Sequence, residues 1–325
     1  MALVLMLGVV TAVPGSVTAA EAQAGSADIV VNSAGDGADA NPADGQCRTA
    51  AGDCTLRAAI QQANGNTGPD QIRFAIPGSG IKTIAPRTEL PSLNDASGAT
   101  VIDGFTQPGA SANTAATGSN ARVLIEVVGS GQEAGIRVES AGNTVRGLAI
   151  SGFVTNVFLV GEGADGNRIV GNFIGARAGG GQGPTPTGVR YTWGVQLALG
   201  PDQNVIGAPT LADRNVISGN GTWGVAINHG ETSQNFVQNN VIGMTPDLGG
   251  RLAQRIGIDI QWWTWGNLIG GDRALEGNLV SGNQLTTSDG WHAGIDLSHD
   301  AVNNQVIGNF IGTLGDGDSV APHSA

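Results

Sequence analysis

The chain has 325 residues and a formal net charge of −12, with 53 glycines, 4% aromatic residues, 13% charged residues and a single lysine, Lys82. It is too apolar for a disordered chain and too rich in turn residues for a helical one. The acidic balance, with no basic run against it, excludes a nucleic-acid partner, and no phosphate loop, Ser-His-Asp triad or zinc motif is present.

Residues 1–24 read as an export signal, with Ala2 to Val13 an apolar stretch too short to span a bilayer and Ala22-Gln23-Ala24 an A-x-A cleavage site, although the basic n-region is missing. No other stretch approaches a transmembrane length, so the expected location is secreted, extracellular or on the cell surface. Residues 25–70 should form an N-terminal cap. Cys47 and Cys54, the only cysteines, lie in the Gly/Asp-rich DGQCRTAAGDC. Behind an export signal they suit a small disulfide, since a metal site would need more ligands. In CTLRAAIQQAN, Thr55 is placed to cap a short helix whose apolar residues Leu56, Ala59, Ile60 and Ala63 share one face.

The rest of the chain, 71–325, reads as strands. IRFAI, IKTI, ATVIDG and ARVLIEVVG are irregular first coils separated by Pro and Gly turns. From Gly135 a repeat takes over, in which a glycine opens an apolar-x-apolar triplet and an asparagine some ten residues later opens a second short apolar run. Gly194 leads to Asn204, Gly224 to Asn235, Gly257 to Asn267 and Gly294 to Asn304. A longer period lies over it, because Asn167, Asn235 and Asn304 are 68 and 69 residues apart. Short alternating runs at fixed spacing, with Gly and Asn at the corners, predict an all-β fold, a parallel β-helix solenoid. Equivalent residues would stack about 4.7–4.9 Å apart, and Asn143, Asn167, Asn204, Asn235, Asn267 and Asn304 would form one column of amide hydrogen bonds. The segment 176–188 reads as an excursion from one corner, and the pattern stops after Gly312 in mid-coil, which implies a longer native protein continuing beyond Ala325.

Three segments carry a resemblance. CTLRAAI from Cys54 resembles the C-S-L-R-E-A-I motif of secreted bacterial right-handed parallel β-helix repeat proteins with a pectin-lyase-like fold. IDGFTQPG from Ile102 resembles their I-D-G-x-T-Q-P-G segment, and RNVISGN from Arg214 with GNFIG resembles their repeat core. Thr55 and Ala58 replace the motif's Ser and Glu. The resemblance implies right-handed coils, secretion and a helix capping the open N-terminal end, but assigns no reaction. The likeness to polygalacturonases ends at the fold, with no adjacent Asp-Asp pair and no R-x-K.

Side chains alternate across a strand, so the central residue of each triplet should point outward. That column reads Arg137, Phe158, Gln196, Ala226, Asp259 and Asp296. Two stacked acids suit a general acid or a calcium site, and roughly 5 Å is also near the carboxylate spacing of retaining glycosidases. The bland alternative is a pair of solvated surface aspartates. The next column, Leu199, His229, Trp262 and His299, sets two histidines around a tryptophan, which suits proton transfer, a shared metal or plain surface residues. The tryptophans Trp193, Trp223, Trp262, Trp263, Trp265 and Trp291 and the sole tyrosine, Tyr191, all lie between 191 and 291. Exposed rings beside carboxylates would stack on sugars; ordinary corner packing is the other use for them. The leading expectation is a non-catalytic scaffold binding a polysaccharide or cell-surface glycan through Trp193, Trp223, Trp262, Trp263 and Tyr191. The alternative is a polysaccharide hydrolase or lyase using Asp259 and Asp296 with His229 or His299, and a third reading is a spacer carrying other domains.

Overall fold

A computed structural model describes residues 27–283 and 292–313. The export signal at 1–24, Trp291 and the segment after Thr313 lie outside the described residues. The chain is a parallel β-helix. Among the described residues its strands fall into sheets of nine, eight and six, every strand pairing in parallel with the equivalent strand of the coils before and after it. Each coil runs from the six-stranded to the nine-stranded to the eight-stranded sheet, so the section is a three-sided prism.

The predicted period explains the core. In the nine-stranded sheet Ile102, Val145, Ile169, Ile206, Val237 and Ile269 stand in register, and in the eight-stranded sheet Val127, Ile150, Ile174, Ile217, Ile242 and Val280 do the same. All belong to one buried cluster along the axis. The Asn column forms as expected, with one difference in how its bonds run. Each backbone N–H donates to the Oδ1 of the next Asn, from Asn143 through Asn167, Asn204, Asn235 and Asn267 to Asn304, at 2.7–2.9 Å. The side-chain amides reinforce this column rather than carry it, because the corner strips each coil of a backbone partner that the amide replaces.

Two further columns sit at the other corners. Asn172, Asn215, Asn240, Asn278 and Asn309 link successive coils between the nine- and eight-stranded sheets. Where the eight-stranded sheet leads into the six-stranded one, Asn156 Nδ2 donates to Asn220 Oδ1 across Gly194 of the coil between them, and Asn220 Nδ2 donates to Gln254 Oε1 of the next coil.

The N-terminal end carries a disulfide and one helix. Cys47 and Cys54 form a disulfide with a Cα–Cα distance of 5.3 Å. The helix Leu56–Gly65 starts at Thr55, whose Oγ1 accepts from the Ala58 N–H, and it buries Leu56, Ala59, Ile60 and Ala63 against the end of the core. Arg57 pins the cap by bonding Asp36 and the Glu89 and Thr88 carbonyls. Gln107 pairs with the Ile76 backbone in both directions while Thr106 accepts from the Phe74 N–H, so the IDGFTQPG segment ties the first coils together.

Candidate functional site

The outer face of the six-stranded sheet carries the candidate residues. Its strands bend at the glycine that opens each repeat. A Cβ on Gly224 would stand 2.5 Å from the Gly257 carbonyl oxygen and 3.1 Å from the Ile242 side chain, so this position faces inward and only glycine fits it. The residue before it is thereby turned outward. Trp193 pairs with Trp223, Trp223 with Ile256 and Ile256 with Ala293. The two indoles stack at 5.0 Å with planes 13° apart, Tyr191 leans on Trp223 at 5.2 Å, and Arg190 lies over the tyrosine ring. Trp223 is buried and Trp193 and Tyr191 are half-buried. These rings are therefore a packed cluster, which corrects the expectation of open stacking faces for Trp223. Strand spacing sets like rings at van der Waals distance, and they satisfy one another.

The acid column forms in register, Gln196 with Ala226, Ala226 with Asp259 and Asp259 with Asp296. Outward is not the same as exposed, however: Asp259 has no accessible surface and Asp296 is half-buried, so the pair is not the solvated surface pair that alternation allowed. Among the described residues neither Asp259 oxygen meets a hydrogen-bond donor. Burial pushes its pKa up to about 8, helped by the charge of Asp296 and by the Asp296 carboxyl within hydrogen-bonding reach. Two acceptors facing each other are satisfied only when one carries a proton. At neutral pH Asp259 therefore holds one. Asp296 accepts from Ser298 Oγ at 3.1 Å, and Ser298 Oγ lies 3.0 Å from His299 Nδ1, so a polar chain runs from the buried acid to an exposed imidazole.

The histidine column is also assembled as predicted. Leu199, His229, Trp262 and His299 all take left-handed φ values, between 51° and 67°, and the Leu199 and Trp262 N–H groups donate to the His229 and His299 carbonyls at 2.8 Å. The His229 and Trp262 rings meet at 4.1 Å and those of Trp262 and His299 at 5.9 Å. Burial holds the His229 pKa below its usual value. Beside this column Trp263 is 66% exposed and Trp265 42% exposed, with Trp263 again at positive φ. Non-glycine residues in this conformation are strained, and such strain gathers at functional corners. Between Ile256 and Gln261 run five steps of extended strand, about 17 Å, so the packed and open aromatic groups are well apart.

A scan against protein-family models gives no match, and no curated protein is detectably similar. The site's chemistry therefore rests on its geometry. Among the described residues no three His, Cys, Asp or Glu side chains converge, so calcium at the acid pair would have two carboxylates as its only acidic protein ligands. No helix among them is long and apolar enough to cross a membrane. The backbone corner that opens Trp262 and Trp263 had a signal in the sequence, the run WWTWGN, whose three tryptophans, set against the turn formers Gly266 and Asn267, cannot all turn inward.

Proposed function

We propose that this chain is an extracellular β-helix protein, of the secreted repeat type that its CTLRAAI and IDGFTQPG segments resemble, whose lateral corner binds a polysaccharide or cell-surface glycan without chemically altering it. The observation that carries this reading is the pair of solvent-held indoles, Trp263 and Trp265, beside half-buried Trp262 on a corner fixed by the Asn column. Indole faces next to imidazole and carboxyl groups suit the apolar face and hydroxyl rim of a sugar. The disulfide is compatible with an oxidising compartment. The net charge of −12 favours neutral glycans over polyuronates.

The alternative, a hydrolase or lyase, is supported by one observation, the raised pKa of Asp259 beside Asp296. Against it stands the full burial of Asp259, because a general acid must reach the bond it protonates. Affinity electrophoresis through neutral glucan, xylan and mannan tests the binding reading. Retardation by at least one of them, lost in Trp263→Ala and kept in Asp259→Asn, is the expected result. Release of reducing ends that disappears in Asp259→Asn would replace it with the hydrolytic reading.

A further inference from the structure

A different corner of the prism, between the nine- and eight-stranded sheets, holds a cavity of about 360 Å³. Its walls come from the loop around Gly118, the turn 271–275 and the corner at Gly308, and its apolar lining includes Val241, Leu248, Leu279 and Phe310. One charged side chain in that lining is buried. Arg214 is 7% exposed, and its Nε donates to Asn239 Oδ1 at 3.0 Å while Nη1 donates to the Ala115 and Gly118 carbonyls at 3.1 and 2.7 Å. Among the described residues Nη2 has no hydrogen-bond partner and no carboxylate forms a salt bridge with this guanidinium.

An unpaired buried cation is costly, and a chain with 27 acidic residues has no shortage of counter-charges. Burial lowers the Arg214 pKa, with no acid offsetting it. The nearby acids are turned to other tasks or to solvent. Glu276 Oε2 accepts from the Arg273 N–H, and Asp272, which shares the rim with Arg273, is exposed. The repeat explains why the space is open. Each long corner insert ends in the Asn of the column, Asn215 in one and Asn278 in the next, and the residue before it is Arg214 in the first but Gly277 in the second. A Cβ on Gly277 would stand 2.0 Å from the Gly308 carbonyl oxygen, so no side chain can be sent into the corner from there. At the rim Leu275 is held at φ 66°, a strained conformation for leucine.

We propose that this cavity is a binding site for a small organic carboxylate, which pairs with the open edge of Arg214 and lays its apolar body against Leu248, Leu279 and Phe310. With Nε and both Nη1 hydrogens taken, Nη2 alone offers one charge-assisted contact, which a carboxylate oxygen accepts, and the apolar wall beside it suits a hydrocarbon body rather than the oxygens of phosphate. The site lies on a different corner from the tryptophans and is independent of glycan binding.

Calorimetric titration of the full chain with benzoate, benzamide and inorganic phosphate tests it. Benzoate should bind in the millimolar range or tighter, with benzamide and phosphate weaker by about tenfold or more, the worth of a charge-assisted bond. Ala274→Trp alters an exposed wall residue without touching the Arg214 bonds, and should abolish benzoate binding while the melting temperature holds. Arg214→Met should do the same to binding but also loosen the loop at Gly118. No benzoate binding by the folded chain, equal affinity for benzamide, preference for phosphate, or undiminished binding in Ala274→Trp would each overturn the proposal and leave Arg214 as a pin for the loop.

Discussion

The two aromatic groups on the six-stranded sheet are made of the same residues and answer to different backbones. Trp193 and Trp223 sit on extended strands, where register sets one ring upon the next and closes the faces against each other. Trp262 and Trp263 sit in a left-handed turn, where successive side chains splay apart and one indole is left in solvent. Tryptophan content alone therefore says little about ligand binding; the conformation beneath each ring decides whether it packs or presents. Asp259 lies between them, on the extended part, and shares the fate of the packed group.

That contrast can be broken most sharply at Trp223. Trp223→Ala should lower stability by about 3–5 kcal/mol, measured by denaturant unfolding, as expected for emptying a buried ring site. If it costs little and glycan affinity falls instead, the packed group is the binding face and the comparison is inverted.

Asp259→Asn probes the ground between. Burial raises the folded carboxyl from its ordinary 3.8 to about 8. Between those values the folded protein holds the extra proton, so the wild type's stability is full below the lower pKa, declines as pH rises through the window and levels above it. The variant lacks this decline. Its advantage should grow by at most about 1.4 kcal/mol per pH unit up to pH 8 and then stay constant, as read from melting curves across pH. A flat difference would mean that Asp259 is ionised in the fold.

Beneath the open group, Asn235→Ala removes the Oδ1 that accepts the Asn204 N–H and leaves that donor buried and unpaired. A loss of about 1–3 kcal/mol is expected, with glycan retardation weakened as the corner loosens. Trp263→Ala should move stability least, by no more than about 0.5 kcal/mol, while reducing glycan affinity by about tenfold. A stability loss as large as that of Trp223→Ala would show the ring to be structural.

Much of this architecture was legible because a solenoid repeats its local rules. The strand period placed the core columns, the recurrent Asn placed the first ladder, the apolar spacing after Thr55 placed the helix face, and counting from the triplet glycine placed the His229–Trp262–His299 stack. The second ladder is written more faintly, since Asn172, Asn215, Asn240, Asn278 and Asn309 each precede an apolar pair of only two residues, too short to set a period of its own. The burial of Asp259 could not be read, because alternation tells which side of a sheet a residue takes and not what covers that side. Arg214 stood in plain view in RNVISGN, but a cavity depends on coils distant in sequence, and only the assembled corner shows an arginine without an acid.

The asparagine columns also set how such a chain can change in length. Each corner amide meets the same kind of group above and below, and Asn167, Asn235 and Asn304 mark a unit of two coils, one short and one long. Excising or duplicating one such unit rejoins asparagine to asparagine at the two corners that carry Asn columns, and alters the rod by two strand spacings, about 9.6 Å, leaving the Asn220–Gln254 corner and the corner around Arg214 to adjust. Genetic duplication thus has a built-in ruler, and the spacing between whatever lies at either end can be set in steps of that size.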